Sequence, residues 1–146
     1  MIDLQPPIIE YAAYRPPFHD GMREENACAT FQCSTCGSTV ERNVLSAISS
    51  GTEWFRSLSL ADQETVTRSF ACTLEFVGPS AIAYPRFPNG DAAYICTAEC
   101  KSCQASYLLA IQFYEKQPAR YIAVLQGVAG LAPNNSFKPK PLRGSA

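Results

Sequence analysis

Apolar residues in this chain follow two periods, and the switches between them mark out the elements. Residues 105–114 sort onto two faces at a period of two. Tyr107, Leu109, Ile111 and Phe113 fall on one side and Leu108, Ala110, Gln112 and Tyr114 on the other, which predicts a β-strand. A turn over 115–119 and a β-rich run over 120–128 predict its returning partner. Residues 27–33 and 92–97 predict two further strands, each running into a pair of cysteines. The helical period appears elsewhere. Val66, Phe70 and Leu74 recur every four residues behind Ser59, an N-cap, with Asp62 in the capping-box place and Glu64 close behind. This predicts the clearest helix, with that stripe buried and Gly78-Pro79 as its stop. Val40, Val44 and Ile48 share the spacing, but a ribbon strand could also hold the first of them. The reading adopted is a strand over 39–43 and a short helix from about Asn43, ended by Gly51 in the C′ position. Trp54, Phe55 and Leu58 follow as a dense apolar patch. The single tryptophan reads as core, with an exposed binding anchor as the alternative.

The segments outside these patterns are rich in proline. Residues 1–26 carry Pro6-Pro7, Pro16-Pro17 and several aromatics, which bar a regular helix and predict an extended arm packed on the domain. His19, the one histidine, sits beside Asp20-Gly21 and reads as part of a surface turn. Residues 79–91 read as a connection, with a turn at Asn89-Gly90. Residues 133–146 read as a flexible Pro/Lys-rich tail on a single domain spanning 1–132.

Composition narrows the class. With 146 residues, 47% hydrophobic and 17% charged, the chain can bury one substantial core. No apolar run is long enough for a transmembrane helix, and the N-terminal residues lack the pattern of a secretory signal, so a cytoplasmic location without a membrane partner is expected. The tail holds Lys138, Lys140 and Arg143, which leaves nine basic and thirteen acidic side chains elsewhere, a balance of −4. A body of that sign does not advertise a phosphate-binding surface.

The seven cysteines carry the chemistry. An odd number cannot all pair within one chain, and a reducing compartment favours metal binding over a disulfide framework. Cys33-Ser-Thr-Cys36-Gly37 and Cys100-Lys-Ser-Cys103 place two thiolates three positions apart on each of two turns. Two such turns can close a tetrahedron around one zinc ion. Gly37 supplies a residue tolerant of positive φ, and the small polar neighbours leave N–H groups free to face the sulfurs. The second cluster is ambiguous, because Cys96 lies four residues before Cys100. A strand over 92–97 points Cys96 away from the turn, so the expected ligands are Cys33, Cys36, Cys100 and Cys103, with Cys96 in reserve. Cys28 and Cys72 read as core thiols. Four thiolates leave no open position, so the zinc would be structural, tying the tips of two ribbon hairpins together.

Each following an apolar strand, these two knuckles resemble those of zinc-ribbon proteins. The resemblance covers some 35 to 40 residues and implies a small antiparallel sheet around a structural zinc, in proteins that bind nucleic acid or protein. The expected fold is therefore α+β, a zinc-ribbon-like sheet with a partly helical insertion between the knuckles.

No catalytic pattern accompanies the metal motif. Gly-rich phosphate loops and a Gly-x-Ser-x-Gly elbow are absent, and one histidine leaves little room for a triad. Glu53, Glu75 and Glu99 are scattered. The expected function is a non-enzymatic protein-binding module, in the manner of a dedicated inhibitor or immunity-type protein that neutralises a partner. Nucleic-acid binding is the alternative and would need Arg42, Arg56, Arg68, Lys101 and the tail on one face. Thiol redox chemistry comes third, since neither Cys-x-x-Cys opens a helix.

Overall fold

The computed structural model describes residues 2–22, 26–79 and 82–132; the tail expected over 133–146 lies outside them. Among the described residues the order is β1 (Leu4–Ile9), β2 (His19–Gly21), β3 (Cys28–Gln32), β4 (Thr39–Asn43), α1 (Val44–Ser57), α2 (Leu60–Ser69), β5 (Thr73–Val77), β6 (Ile82–Arg86), β7 (Ala93–Glu99), β8 (Ser106–Gln117) and β9 (Arg120–Leu131). The fold is mixed α+β and its strand pairs are antiparallel.

The main sheet runs β1-β9-β8-β7, and β2 pairs with β9 as well. β1 takes the end of β9, with Leu4 opposite Leu131, and β2 takes its beginning, with Gly21 opposite Tyr121. The proline-rich arm thus forms two strands of the sheet. Pro6 and Pro7 fit there because β1 is an edge strand whose register slips on both sides of Pro7, where a missing N–H breaks no ladder. His19 is not in a turn. It is half-buried in β2 opposite Ala123, and its Nε2 bonds the Met22 carbonyl at 2.7 Å. β3–β4 and β5–β6 are separate two-stranded sheets.

The alternation in β8 sorts the core as the sequence predicts. Tyr107, Leu109 and Ile111 join Cys96 and Val128 in one cluster, which also takes in Phe31 and Val40 of the β3–β4 hairpin. Leu108 and Ala110 face the other way, into a cluster with Ile95, Val66, Phe70 and Phe87, against which Trp54 packs half-buried. The sheet therefore has a core on both faces, more than a pair of ribbon hairpins would own.

α1 links the two cores. Asn43 caps it, accepting from the Ser46 N–H at 3.0 Å, but Gly51 does not end it, and the helix continues to Ser57. Val44 and Ala47 enter the first cluster, while Phe55 and Leu58 enter the second. Gly51 lies between, on the same stripe, where the helix crosses β7. A Cβ there would stand 2.6 Å from the Ile95 carbonyl oxygen and 2.9 Å from Cys96 Cβ. This glycine serves close approach to a strand rather than chain reversal. Arg42 reaches the neighbouring part of that strand, donating to the Thr97 carbonyl at 2.9 Å, which occupies one of the edge carbonyls of β7.

The second helix is shorter than its stripe suggests. Ser59 caps it, accepting from the Asp62 N–H, but the Asp62 carboxylate does not close a capping box and instead accepts from the Ile2 N–H at 2.9 Å. α2 stops at Ser69. Ala71 takes φ +59° and the N–H groups of Ala71 and Cys72 bond back to Arg68 and Thr67, a Schellman ending with alanine in glycine's usual place. Phe70 remains on the buried side, but Leu74 belongs to β5. The expected connection over 79–91 likewise contains β6, with Pro85 inside it, before the turn at Asn89-Gly90.

Candidate metal centre

The first knuckle is the tip of the β3–β4 hairpin and the second joins β7 to β8. Both are built by the same hydrogen bonds. The Cys33 N–H reaches the Ser38 carbonyl at 2.8 Å and the Gly37 N–H returns to the Cys33 carbonyl at 2.9 Å. In the second, the Cys100 N–H reaches Ala105 at 2.8 Å and the Gln104 N–H returns to Cys100 at 2.7 Å. Gly37 takes φ +78° and Gln104 takes +65°, so Gln104 occupies the place of the first knuckle's glycine. Its strained backbone is offset in part by the side chain, which donates to the Lys101 carbonyl at 3.1 Å.

Packing of β3–β4 over the main sheet brings the two turns face to face. The sulfurs of Cys33, Cys36, Cys100 and Cys103 all lie within 4.8 Å of one another, the one such group among the described residues. Across the knuckles, Cys33 Sγ is 3.5 Å from Cys103 Sγ and Cys36 Sγ is 3.6 Å from Cys100 Sγ. Four thiolates on a tetrahedral zinc, with Zn–S near 2.3 Å, stand about 3.8 Å apart. The donor set and spacing fit such an ion, and all four ligand positions would be filled. Cys33 and Cys100 are buried, Cys103 is half-buried and Cys36 is exposed.

The surroundings favour thiolate at particular sulfurs. Tyr107, on β8 beneath the first knuckle, hydrogen-bonds Cys33 Sγ at 3.1 Å through its hydroxyl and accepts the Ser34 N–H at 3.0 Å. That bond, with N–H groups of Cys36 and Thr35, holds the Cys33 thiol down to about 6. Ser38 lowers Cys36 through its hydroxyl and its N–H. Cys103, although the Ala105 N–H favours its thiolate, is pushed up to about 12 by burial and by the three neighbouring sulfurs. Four negative sulfurs cannot share this volume alone; a dication would supply the missing charge.

The other cysteines stand apart. Cys96 is buried on β7 against α1, and burial pushes its thiol up to about 12. Cys72 is buried in the second core, with the same direction and value. Cys28 is half-buried at the start of β3. Two contributors escaped the sequence reading. Gln104 could have been found by its place four residues after Cys100, matching Gly37 after Cys33. Tyr107 could not, because only the hairpin's position over β8 brings it to Cys33.

Comparison with protein-family models, with curated proteins and with solved structures returns no match to this chain. Its function is therefore argued from its own surfaces.

Proposed function

We propose that this chain is a non-enzymatic protein-binding module, of the dedicated inhibitor or immunity type, held together by one structural zinc on Cys33, Cys36, Cys100 and Cys103. A four-sulfur set supports zinc in a closed role, since tetrahedral thiolate sites suit zinc or iron and leave no position for substrate. When bound, the ion would supply charge neutralisation and a fixed distance between β3–β4 and the main sheet.

The observation that carries the binding role is the group of bare apolar side chains around one hairpin; Ile8, Tyr14, Met22 and Tyr114 are exposed elsewhere, on the arm and on β8. Leu60 is 52% exposed, Phe76 53%, Val77 45% and Ile82 36%, all on the β5–β6 hairpin or the start of α2 beside it. A cluster of that kind on a small domain is commonly a recognition surface. Support for nucleic acid is weaker. Arg42, which such a surface would need, is engaged by Thr97 and by the hydroxyls of Ser46 and Ser50.

Two measurements test the reading. Elemental analysis should return one zinc per chain; its absence, or iron absorbance in the visible range, removes the zinc. Cross-linking from a photoreactive residue at position 76 should capture a protein in the cells that make this chain. Labelled nucleic acid retained in a salt-dependent way by the zinc-loaded chain would transfer the assignment to the nucleic-acid class.

A further inference from the structure

The exposed cluster borders two adjoining hollows, and their lining specifies what they would take. One, of about 500 Å³, lies between α1 and the segments of β6 and β7, with Phe55, Ala83 and Ile95 among its walls. The other, of about 360 Å³, opens between the start of α2 and the hairpin and is walled by Leu60, Phe76 and Ile82. Each exceeds an aromatic side chain in volume. Arg56 and Ala83 line both, so Arg56 stands where the hollows meet.

Arg56 is held in place. Its guanidinium lies 5.2 Å from the centre of the Tyr84 ring and donates to the Tyr84 hydroxyl at 2.8 Å. No ion pair joins it to a carboxylate of the described residues, whereas the nearby Arg86 is paired with Glu75. The result is a pre-oriented cation, with no counter-charge among the described residues, where two partly apolar depressions meet. Arginine and tyrosine so arranged are common anchors of protein interfaces, and the planar guanidinium matches a carboxylate.

Resting on the protein-binding reading above, we infer that the hollows receive an acidic, apolar segment of the partner: one aromatic or aliphatic side chain in a hollow, with a neighbouring Asp or Glu carboxylate on Arg56. Self-association fits less well. The four apolar side chains leave bare on the order of 300 Å², far short of the roughly 800 Å² per partner of a standard stable interface.

The test is display selection of random twelve-residue peptides on the zinc-loaded chain. The expected consensus is an apolar anchor with Asp or Glu within two positions. Fluorescence anisotropy of the selected peptides should weaken roughly 10- to 100-fold on Arg56→Ala, the loss expected for one charge-assisted bidentate contact. Repeating the selection on Arg56→Glu should keep the anchor and replace the acid by Lys or Arg, a result that a misfolded variant could not give. Binding should also be lost with Phe76→Ser, whose circular dichroism and zinc content should match the parent. A basic consensus, peptides indifferent to both variants, or no enrichment would overturn the inference. So would a dimer in sedimentation that Phe76→Ser dissolves. In each of these cases a protein captured by the photoreactive residue at position 76 would leave the broader reading standing, because that experiment assumes nothing about charge.

Discussion

Gly51→Ala sets two physical effects against each other, and the distance between α1 and β7 decides the winner. Inside an exposed helix, alanine is the better residue by about 1 kcal/mol. At this position the added methyl would stand 2.6 Å from the Ile95 carbonyl oxygen and 2.9 Å from Cys96 Cβ. Neither is the end of a side chain that can swing away, so α1 must retreat from the strand by several tenths of an ångström. That retreat loosens Val44 and Ala47 in one core and Phe55 and Leu58 in the other. Overpacking costs about 1–3 kcal/mol, and two obstructing atoms fixed by the backbone place this case at the upper end. The net expectation is a loss of about 1–2 kcal/mol. With a urea m-value of roughly 2 kcal/mol/M, the unfolding midpoint should fall by about 0.5–1 M. Ser49→Ala, on the exposed face of the same helix, should instead gain a few tenths of a kcal/mol, of order the propensity difference. Should Gly51→Ala match or exceed the parent in stability while Ser49→Ala behaves as expected, α1 does not sit this close to β7.

Three further outcomes are expected. Tyr107→Phe keeps the edge contact with Phe31 but removes the hydroxyl from Cys33; metal affinity against a competing chelator should drop about 10- to 100-fold, as for other groups that orient a ligand. Ala71→Gly should stabilise the chain by up to about 1 kcal/mol in thermal unfolding, because glycine adopts φ near +60° without the penalty alanine bears, less its greater unfolded-state entropy. Cys72 and Cys96 have folded-state thiols pushed up to about 12, against 9.0 for an ordinary thiol. The unfolded chain then loses these protons first, so their contribution is complete below about pH 9 and is lost as pH rises from there toward 12. Denaturant midpoints across pH 8–11 should show the decline, and Cys72→Ala should lessen it. At pH 8 neither thiol should react with iodoacetamide in the folded protein.

What the sequence makes legible is local. β8 and β9 declare themselves because both of their faces meet a core, which leaves two long β-rich apolar runs around a short turn. The metal motif is legible for a similar reason: each knuckle closes on itself through bonds between residues five apart or fewer. Where the reading fails, a distant contact overrides a local signal. Gly51 resembles a helix stop until β7 is known to pass beside it. Asp62 resembles a capping-box acid until Ile2 arrives from sixty residues away. Leu74 continues the helical stripe of Val66 and Phe70, but Ala71 has already turned the chain, and nothing about an alanine announces a left-handed backbone. Pro85 argues against a strand unless that strand lies at an edge, which topology alone reveals.

The placement of β9 bears on how the chain is made. It is the last described strand in sequence yet lies inside the sheet, with β8 along one side and β1 and β2 along the other. Until it leaves the ribosome, the first two strands have nothing to pair with and one side of β8 stays bare. Only nearby pieces such as the β3–β4 hairpin can form beforehand. β7 and β8 can pair locally, but β1 and β2 can join the sheet only in a late step, the one that sets Leu4 opposite Leu131, an ordering that favours slow folding. During synthesis β1 and β2 lack their partner, and a chain cut short before Arg120 has no β9 for them to join.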